Sequence, residues 1–205
     1  MPQQRAVMGP DRNTLATVLA GRKGMSPVMI GRTVALVRLQ RALRSARPGT
    51  DAPPTIVAIS GEAGVGKTRL LQELVAHAEP DTVVLAGQSD PGSLGRPFEL
   101  VTDLLGGLPL AEQEPERAAV TAICERIGTS RALVLFEDLH WTDSESVKVF
   151  ERLAGLRLGG LVLVATFRPD ELNRRLPGGE MMARLERRHS VVHVGLERLT
   201  RAEVG

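Results

Sequence analysis

Two short stretches of the chain carry residue types at spacings suited to phosphate chemistry. The first, SGEAGVGKTRLLQEL from Ser60 to Leu74, holds Gly61, Gly66, Lys67 and Thr68 in the pattern G-x-x-x-x-G-K-[ST], with Gly64 inside it. Phosphates carry dense negative charge, and a helix N-terminus offers unpaired backbone N–H groups and the positive end of the helix dipole. Gly64 and Gly66 free the backbone to aim successive N–H groups into one concavity. Lys67 then reaches the β and γ phosphates, and the Thr68 hydroxyl is placed for Mg²⁺. The bland alternative is a glycine-rich turn that merely joins a strand to a helix.

The second stretch is LVLFEDLHW, Leu133 to Trp141. Its apolar run leads into Glu137 and Asp138, two carboxylates at the end of a strand, where the ligands of open α/β folds gather. One carboxylate would hold the Mg²⁺ water shell and the other would polarise an attacking water. Thr68, Glu137 and Asp138 are therefore the candidate metal ligands, against the plainer reading of two exposed acids ending a strand. His140 reads equally as a γ-phosphate sensor or a satisfied surface histidine. Trp141, the sole Trp, reads as a packing anchor. Thr166 and Arg168, in ATFRPDEL, read as reporters of nucleotide state, with a solvated Arg168 as the alternative.

These residues need a scaffold, and the hydrophobic pattern supplies one. Buried-strand runs are predicted at 55–60, 82–87, 132–138, 161–167 and 191–195, each short, apolar and rich in β-branched residues. Helices are predicted at 33–46, with Leu36, Leu39 and Leu43 near helical spacing, at 67–78, at 98–105 and from about 116 to 127. Strands alternating with helices imply a parallel α/β sheet. Residues 1–25 read as a flexible leader. LTRAEVG opens with Thr200 and Glu203 in capping-box spacing, the start of a helix that the chain does not continue, so a fragment of a longer protein is expected.

Composition narrows the function classes. The single cysteine, Cys124, permits no disulfide framework or zinc cluster and reads as a small buried residue. No apolar run approaches the ~20 residues of a membrane helix, so a cytoplasmic protein with no membrane partner is expected. Lys and Arg number 26 against 24 Asp and Glu, a net charge of +2 with the signs interspersed. Aromatic residues make up only 2% of the chain, too few for a base-stacking platform. Direct DNA binding by this segment is therefore not expected. RLERRH, 184–189, reads as a solvated helix face, and His77, His189 and His193 suggest no site.

In order along the chain, these motifs resemble the AAA-type ATPase domain of the STAND class of signal-transduction NTPases, as in the N-terminal part of large LuxR-type transcriptional regulators of actinobacteria. They are more loosely similar to the origin-recognition-like AAA family. MIGRTVALVRL resembles the box that lines the adenine, ISGEAGVGKTRLLQEL the Walker A segment and GQSDPGSLGRPFELVTDLL the following strand and loop. LVLFEDLHWTD resembles the extended Walker B, LVLVATFRPDEL the sensor strand and VGLERLTRAEV the entry to helical and winged-helix domains.

The resemblance implies a P-loop NTPase three-layer sandwich with a five-stranded, mainly parallel sheet. It implies an ATPase domain over 26–195 and the start of a truncated helical domain over 196–205. Gly31 and Arg32 would sit near the adenine. Gly61, Glu62, Ala63, Gly64, Val65, Gly66, Lys67 and Thr68 would cradle the phosphates, with Glu137 and Asp138 at the metal and water and Arg168 as sensor. ATP and Mg²⁺ are the implied cofactors. The implied partners are helical, sensor and helix-turn-helix domains beyond this segment, with nucleotide-dependent self-association. The family's commoner pattern has Asp at the first acidic position. Here Glu137 precedes Asp138, which leaves open which of them holds Mg²⁺.

Two other readings compete. A small-molecule P-loop kinase or motor-like ATPase would share the cradle, but no arginine-bearing lid is visible between the acidic strand and the last strand. A truncated pseudo-ATPase would act only as an interaction module.

Overall fold

In the computed structural model, which describes residues 29–172 and 175–199, all five apolar runs form strands. They are β1 (Thr55–Gly61), β2 (Val83–Gln88), β3 (Ala132–Glu137), β4 (Leu161–Phe167) and β5 (Val191–Leu196). The leader at 1–25 and the helix start at Thr200 and Glu203 lie outside the described residues.

The strands lie in the order β2-β3-β4-β1-β5, and every pairing is parallel. Successive side chains of a strand point to opposite faces, and here both faces are covered. Ile56, Ala58, Val134, Phe136, Leu163 and Ala165 face one apolar layer. Val57, Ile59, Leu133, Leu135, Val162 and Val164 face the other. That double burial explains why β3 and β4 read as unbroken apolar runs and not as alternating ones. The fold is thus an α/β three-layer sandwich on a five-stranded parallel sheet.

Two helices cover one face. α1 (Thr33–Ser45) buries Leu39, Ala42 and Leu43 at i, i+3 and i+4, and α2 (Lys67–Ala76) buries Leu70, Leu71, Leu74 and Val75. The other face carries α3 (Glu99–Leu104), α4 (Pro115–Ile127), α5 (Ser144–Ala154) and α6 (Pro177–Arg188). Helix α3 starts one residue later than its apolar pattern predicts. Phe98 has φ of 60°, so it lies outside the helix as the N-cap residue. The stretch read as a solvated face is only partly so: Leu185 is buried and Arg184 reaches Glu151 at 2.6 Å, while Glu186, Arg187 and Arg188 are exposed.

From β1 the chain crosses to β2 at one edge, returns through β3 and β4 to the flank of β1, and adds β5 on its other side. The carboxyl ends of β1, β4 and β3 therefore lie side by side, at the point where strand order reverses and ligands of such sheets bind. Among the described residues, no helix is long and apolar enough to cross a membrane.

Candidate nucleotide site

The glycine-rich loop joins β1 to α2. A Cβ on Gly61 would lie 2.8 Å from the Leu196 carbonyl oxygen and 2.8 Å from Val65 Cγ1, so the loop turns against β5 only because that atom is missing. Gly64 and Gly66 have open space around them but φ of 71° and 99°, the left-handed region that side chains avoid. Gly66 occupies the N-cap position of α2. The first N–H groups of α2, with no intrahelical acceptors, thus stand at the carboxyl edge of the sheet.

Lys67 is 8% exposed. Its Nζ donates to the carbonyls of Gly61 at 2.7 Å and Glu62 at 3.0 Å, so the ammonium arches back over the loop. Burial pushes its pKa below the ordinary lysine value. The Asp138 carboxylate opposes that shift and the Arg168 guanidinium adds to it. A triphosphate placed beside this ammonium would supply the charge that its surroundings only partly provide.

Thr68 ties the loop to the acidic strand end. Its hydroxyl donates to Glu137 Oε2 at 2.9 Å, across 69 residues of sequence. Glu137 is 1% exposed, the last residue of β3. Asp138 then turns the backbone into the left-handed region, with φ of 57°, and opens a single 3₁₀ turn over Leu139–Trp141. Its amide donates to Thr166 Oγ1 at 3.0 Å, and its carboxylate accepts from Gln88 Nε2 at 2.7 Å. The buried Thr166 hydroxyl thus pins the turn.

A cavity of about 370 Å³ opens above these groups, within the size range of small-molecule sites. Its lining includes apolar Met29, Ile30 and Leu199, the loop from Ala63 to Thr68, and the charged Asp138 and Arg168. Of the residues expected near an adenine, Arg32 lines the cavity and Gly31 does not. The Arg32 guanidinium donates to the carbonyls of Val65 at 3.0 Å and Glu197 at 2.5 Å. Gly61 and Glu62 lie behind the cradle as acceptors for Lys67. Glu137 is reached through Thr68 and does not form the cavity wall. The Thr68 hydroxyl, the Glu137 carboxylate bonded to it and the Asp138 carboxylate lining the same cavity are all oxygen donors, which suits a hard cation that takes its remaining ligands from phosphate and water. Nucleotide and Mg²⁺ therefore fit the residues present.

Arg168 follows β4. Its side chain is ion-paired with Glu171 and stands over the Trp141 ring, 4.9 Å from the centroid. The solvated alternative does not hold, since the side chain is 24% exposed. Nor is His140 at the surface: it is 1% exposed, with its ring 4.5 Å from that of Trp141. Burial pushes its pKa down, opposed by Asp138 and Glu171 and reinforced by Arg168 and Lys67. Cys124 is half-buried, and burial pushes its thiol up, away from nucleophilic character.

Sequence reasoning missed Gln88 and Glu171. Gln88 carried no signal, because only strand order brings the end of β2 beside that of β3. Glu171 had one: it stands three residues after Arg168, a spacing at which charges of opposite sign pair within a turn.

Comparison with known proteins agrees with this fold. The chain is similar to the ORC2 protein of Aeropyrum pernix in its ADPNP–ADP complexes, with 13% identity over 86% of this chain and 50% of that one and a TM-score of 0.60. Against the ADP form of the same protein the values are 16% identity, 88% and 52% coverage, and a TM-score of 0.53. The chain thus spans about half the length of these solved relatives, and the likeness concerns the fold. No curated protein sequence matches it. Residues 28–164 match the family model described as the AAA ATPase domain, and the chain belongs to that family.

Proposed function

We propose that this chain binds Mg-ATP, hydrolyses it slowly and acts as the regulatory switch module of a signal-transducing transcriptional regulator of the large LuxR type. The observation that carries the nucleotide part is the Thr68–Glu137 hydrogen bond at 2.9 Å beside the buried Lys67. It joins the phosphate loop to the acidic strand end. In this reading Thr68 and Glu137 hold Mg²⁺, which resolves the order of the acidic pair in favour of the first. Bound Mg²⁺ would neutralise charge on the phosphate oxygens. Asp138 takes the attacking water and accepts its proton once it leaves Gln88. The 2.7 Å bond from Gln88 Nε2 favours the resting arrangement and so slow turnover.

The absence of the guanine-reading N-K-x-D motif favours ATP over GTP. The regulator context rests on the motif resemblance alone, as do nucleotide-dependent self-association, a cytoplasmic location and further helical, sensor and helix-turn-helix domains. DNA contact belongs to those domains in this reading.

Titration of Mg-ATP and Mg-GTP into the 205-residue chain tests it by calorimetry, with phosphate release followed on the same samples. Wild type should bind ATP selectively and Lys67→Ala should not bind. Glu137→Gln should weaken the Mg²⁺ dependence of binding. Asp138→Asn should retain binding and lose about 10²-fold or more in turnover. A folded wild type that binds neither nucleotide would overturn the proposal.

A further inference from the structure

Arg168 and Glu171 form a unit at the edge of the cavity whose geometry exceeds what an ordinary surface ion pair requires. Both backbone N–H groups at the far end of the turn, those of Glu171 and Leu172, donate to the Arg168 carbonyl, at 3.2 and 2.9 Å. The turn therefore fixes the acid relative to the arginine. Glu171 Oε1 engages Arg168 Nη1, and the guanidinium stands over Trp141. Arg168 Nε is buried and has no hydrogen-bond partner among the described residues, so the guanidinium has donor capacity in reserve. The other carboxylate oxygen, Oε2, lies 3.4 Å from His140 Nε2. Neither nitrogen of that buried ring has a hydrogen-bond partner among the described residues.

Glu171 thus faces two groups with unfilled donors, one on each oxygen. A carboxylate so placed can release Arg168 and close the 3.4 Å gap to His140. Arg168 also lines the same cavity as Lys67 and Thr68, where the outermost phosphate of a triphosphate would present fresh negative charge.

We infer that Glu171 is a latch on Arg168: it holds the guanidinium on Trp141 until a terminal phosphate displaces it, and so sets how strongly the site favours nucleoside triphosphate over diphosphate. The latch rests on the nucleotide reading proposed above. When Arg168 moves, Glu171 closes on His140, whose neutral ring donates from Nε2 with no change of charge. Glu171 is a positioning residue: it acts on the nucleotide only through Arg168.

The test measures the affinity of the 205-residue chain for a triphosphate with a non-hydrolysable β–γ bridge and for ADP, both with Mg²⁺. The emission of Trp141, the sole tryptophan, is read in the same titrations. In wild type the triphosphate should change that emission and ADP should not. Glu171→Gln keeps the size and removes the charge. It should raise the triphosphate-to-diphosphate affinity ratio about fivefold with ADP affinity unchanged, the scale of one partly exposed ion pair. Glu171→Asp retains the charge on a shorter arm and should fall between. In an Arg168→Ala background, Glu171→Gln should leave the ratio where Arg168→Ala put it. Equal changes in both affinities, or a shift that persists without Arg168, would overturn the latch while leaving nucleotide binding intact. A folded wild type that binds neither ligand would overturn both.

Discussion

At the scale of single residues, His140 makes the most direct claim on solution behaviour. The ring is buried with no hydrogen bond to either nitrogen among the described residues, and its pKa lies below the ordinary 6.5 chiefly because burial disfavours the imidazolium. The unfolded chain takes up a proton as pH falls through 6.5, and the folded chain resists it. Unfolded molecules then bind more protons than native ones, so stability must fall with pH below that value, and the effect levels off only once the folded ring also titrates. Urea unfolding midpoints from about pH 7.5 to about pH 5 should decline more steeply in wild type than in His140→Gln. Parallel slopes would show that the ring's burial does not couple to folding.

The surface alternative for His140 fails for a reason no local pattern contains. The 3₁₀ turn that bears it is covered by α6, and Gly178 at the start of that helix meets the Leu139 carbonyl so closely that a Cβ would clash. The phosphate loop was legible because its chemistry is set by spacing along the chain, Gly61 through Thr68. The Gln88–Asp138 and Glu171–His140 contacts were not, because packing sets them.

At the scale of elements, double-sided burial wrote β1, β3 and β4 into the sequence as apolar runs, whereas α5 and α6 were legible only in part. Helix α6 opens Pro177-Gly178-Gly179, and glycine is a poor helix former, so its pattern was obscured. Helix α5 carried a signal that went unused: Asp143 followed by Ser-Glu-Ser, an N-cap residue before an amphipathic run. Asp143 Oδ1 accepts from the amides of Glu145 at 3.0 Å, Ser146 at 2.8 Å and Phe98 at 2.9 Å, and Oδ2 accepts from the Ser146 hydroxyl at 2.6 Å. This one carboxylate caps α5 and also secures Phe98, whose left-handed backbone begins α3. Removing it strands four donors together, two of them buried and two partly so. Asp143→Ala should therefore cost about 2–4 kcal/mol in urea unfolding, more than a simple cap, while Asp143→Asn retains an acceptor and should cost less. A loss in Asp143→Ala of only a few tenths of a kcal/mol, the scale of an unremarkable surface substitution, would assign those donors other acceptors.

At the scale of the whole molecule, the two ends of the described chain meet at the cavity. Residues 29–32 precede α1 and residues 197–199 follow β5, yet Arg32 donates to both the Val65 and the Glu197 carbonyls, and Arg198 Nε reaches Glu62 Oε2 at 2.6 Å. The phosphate loop is therefore clasped to the segment through which β5 hands the chain onward. The Glu62–Arg198 pair is exposed and worth little alone. Arg32 is the stronger element, since its charged Nη2 donates to both carbonyls. A nucleotide that orders the loop should order the exit segment with it, because the same guanidinium holds both. Hydrogen exchange by mass spectrometry should show Mg-ATP slowing amides of 62–68 and 197–199 together. In Arg32→Ala the loop should still respond while 197–199 no longer follows. If both segments stay coupled without Arg32, the message passes instead through the β1–β5 ladder, where Gly61 pairs directly with Leu196, and the arginine serves only to shape the cavity wall.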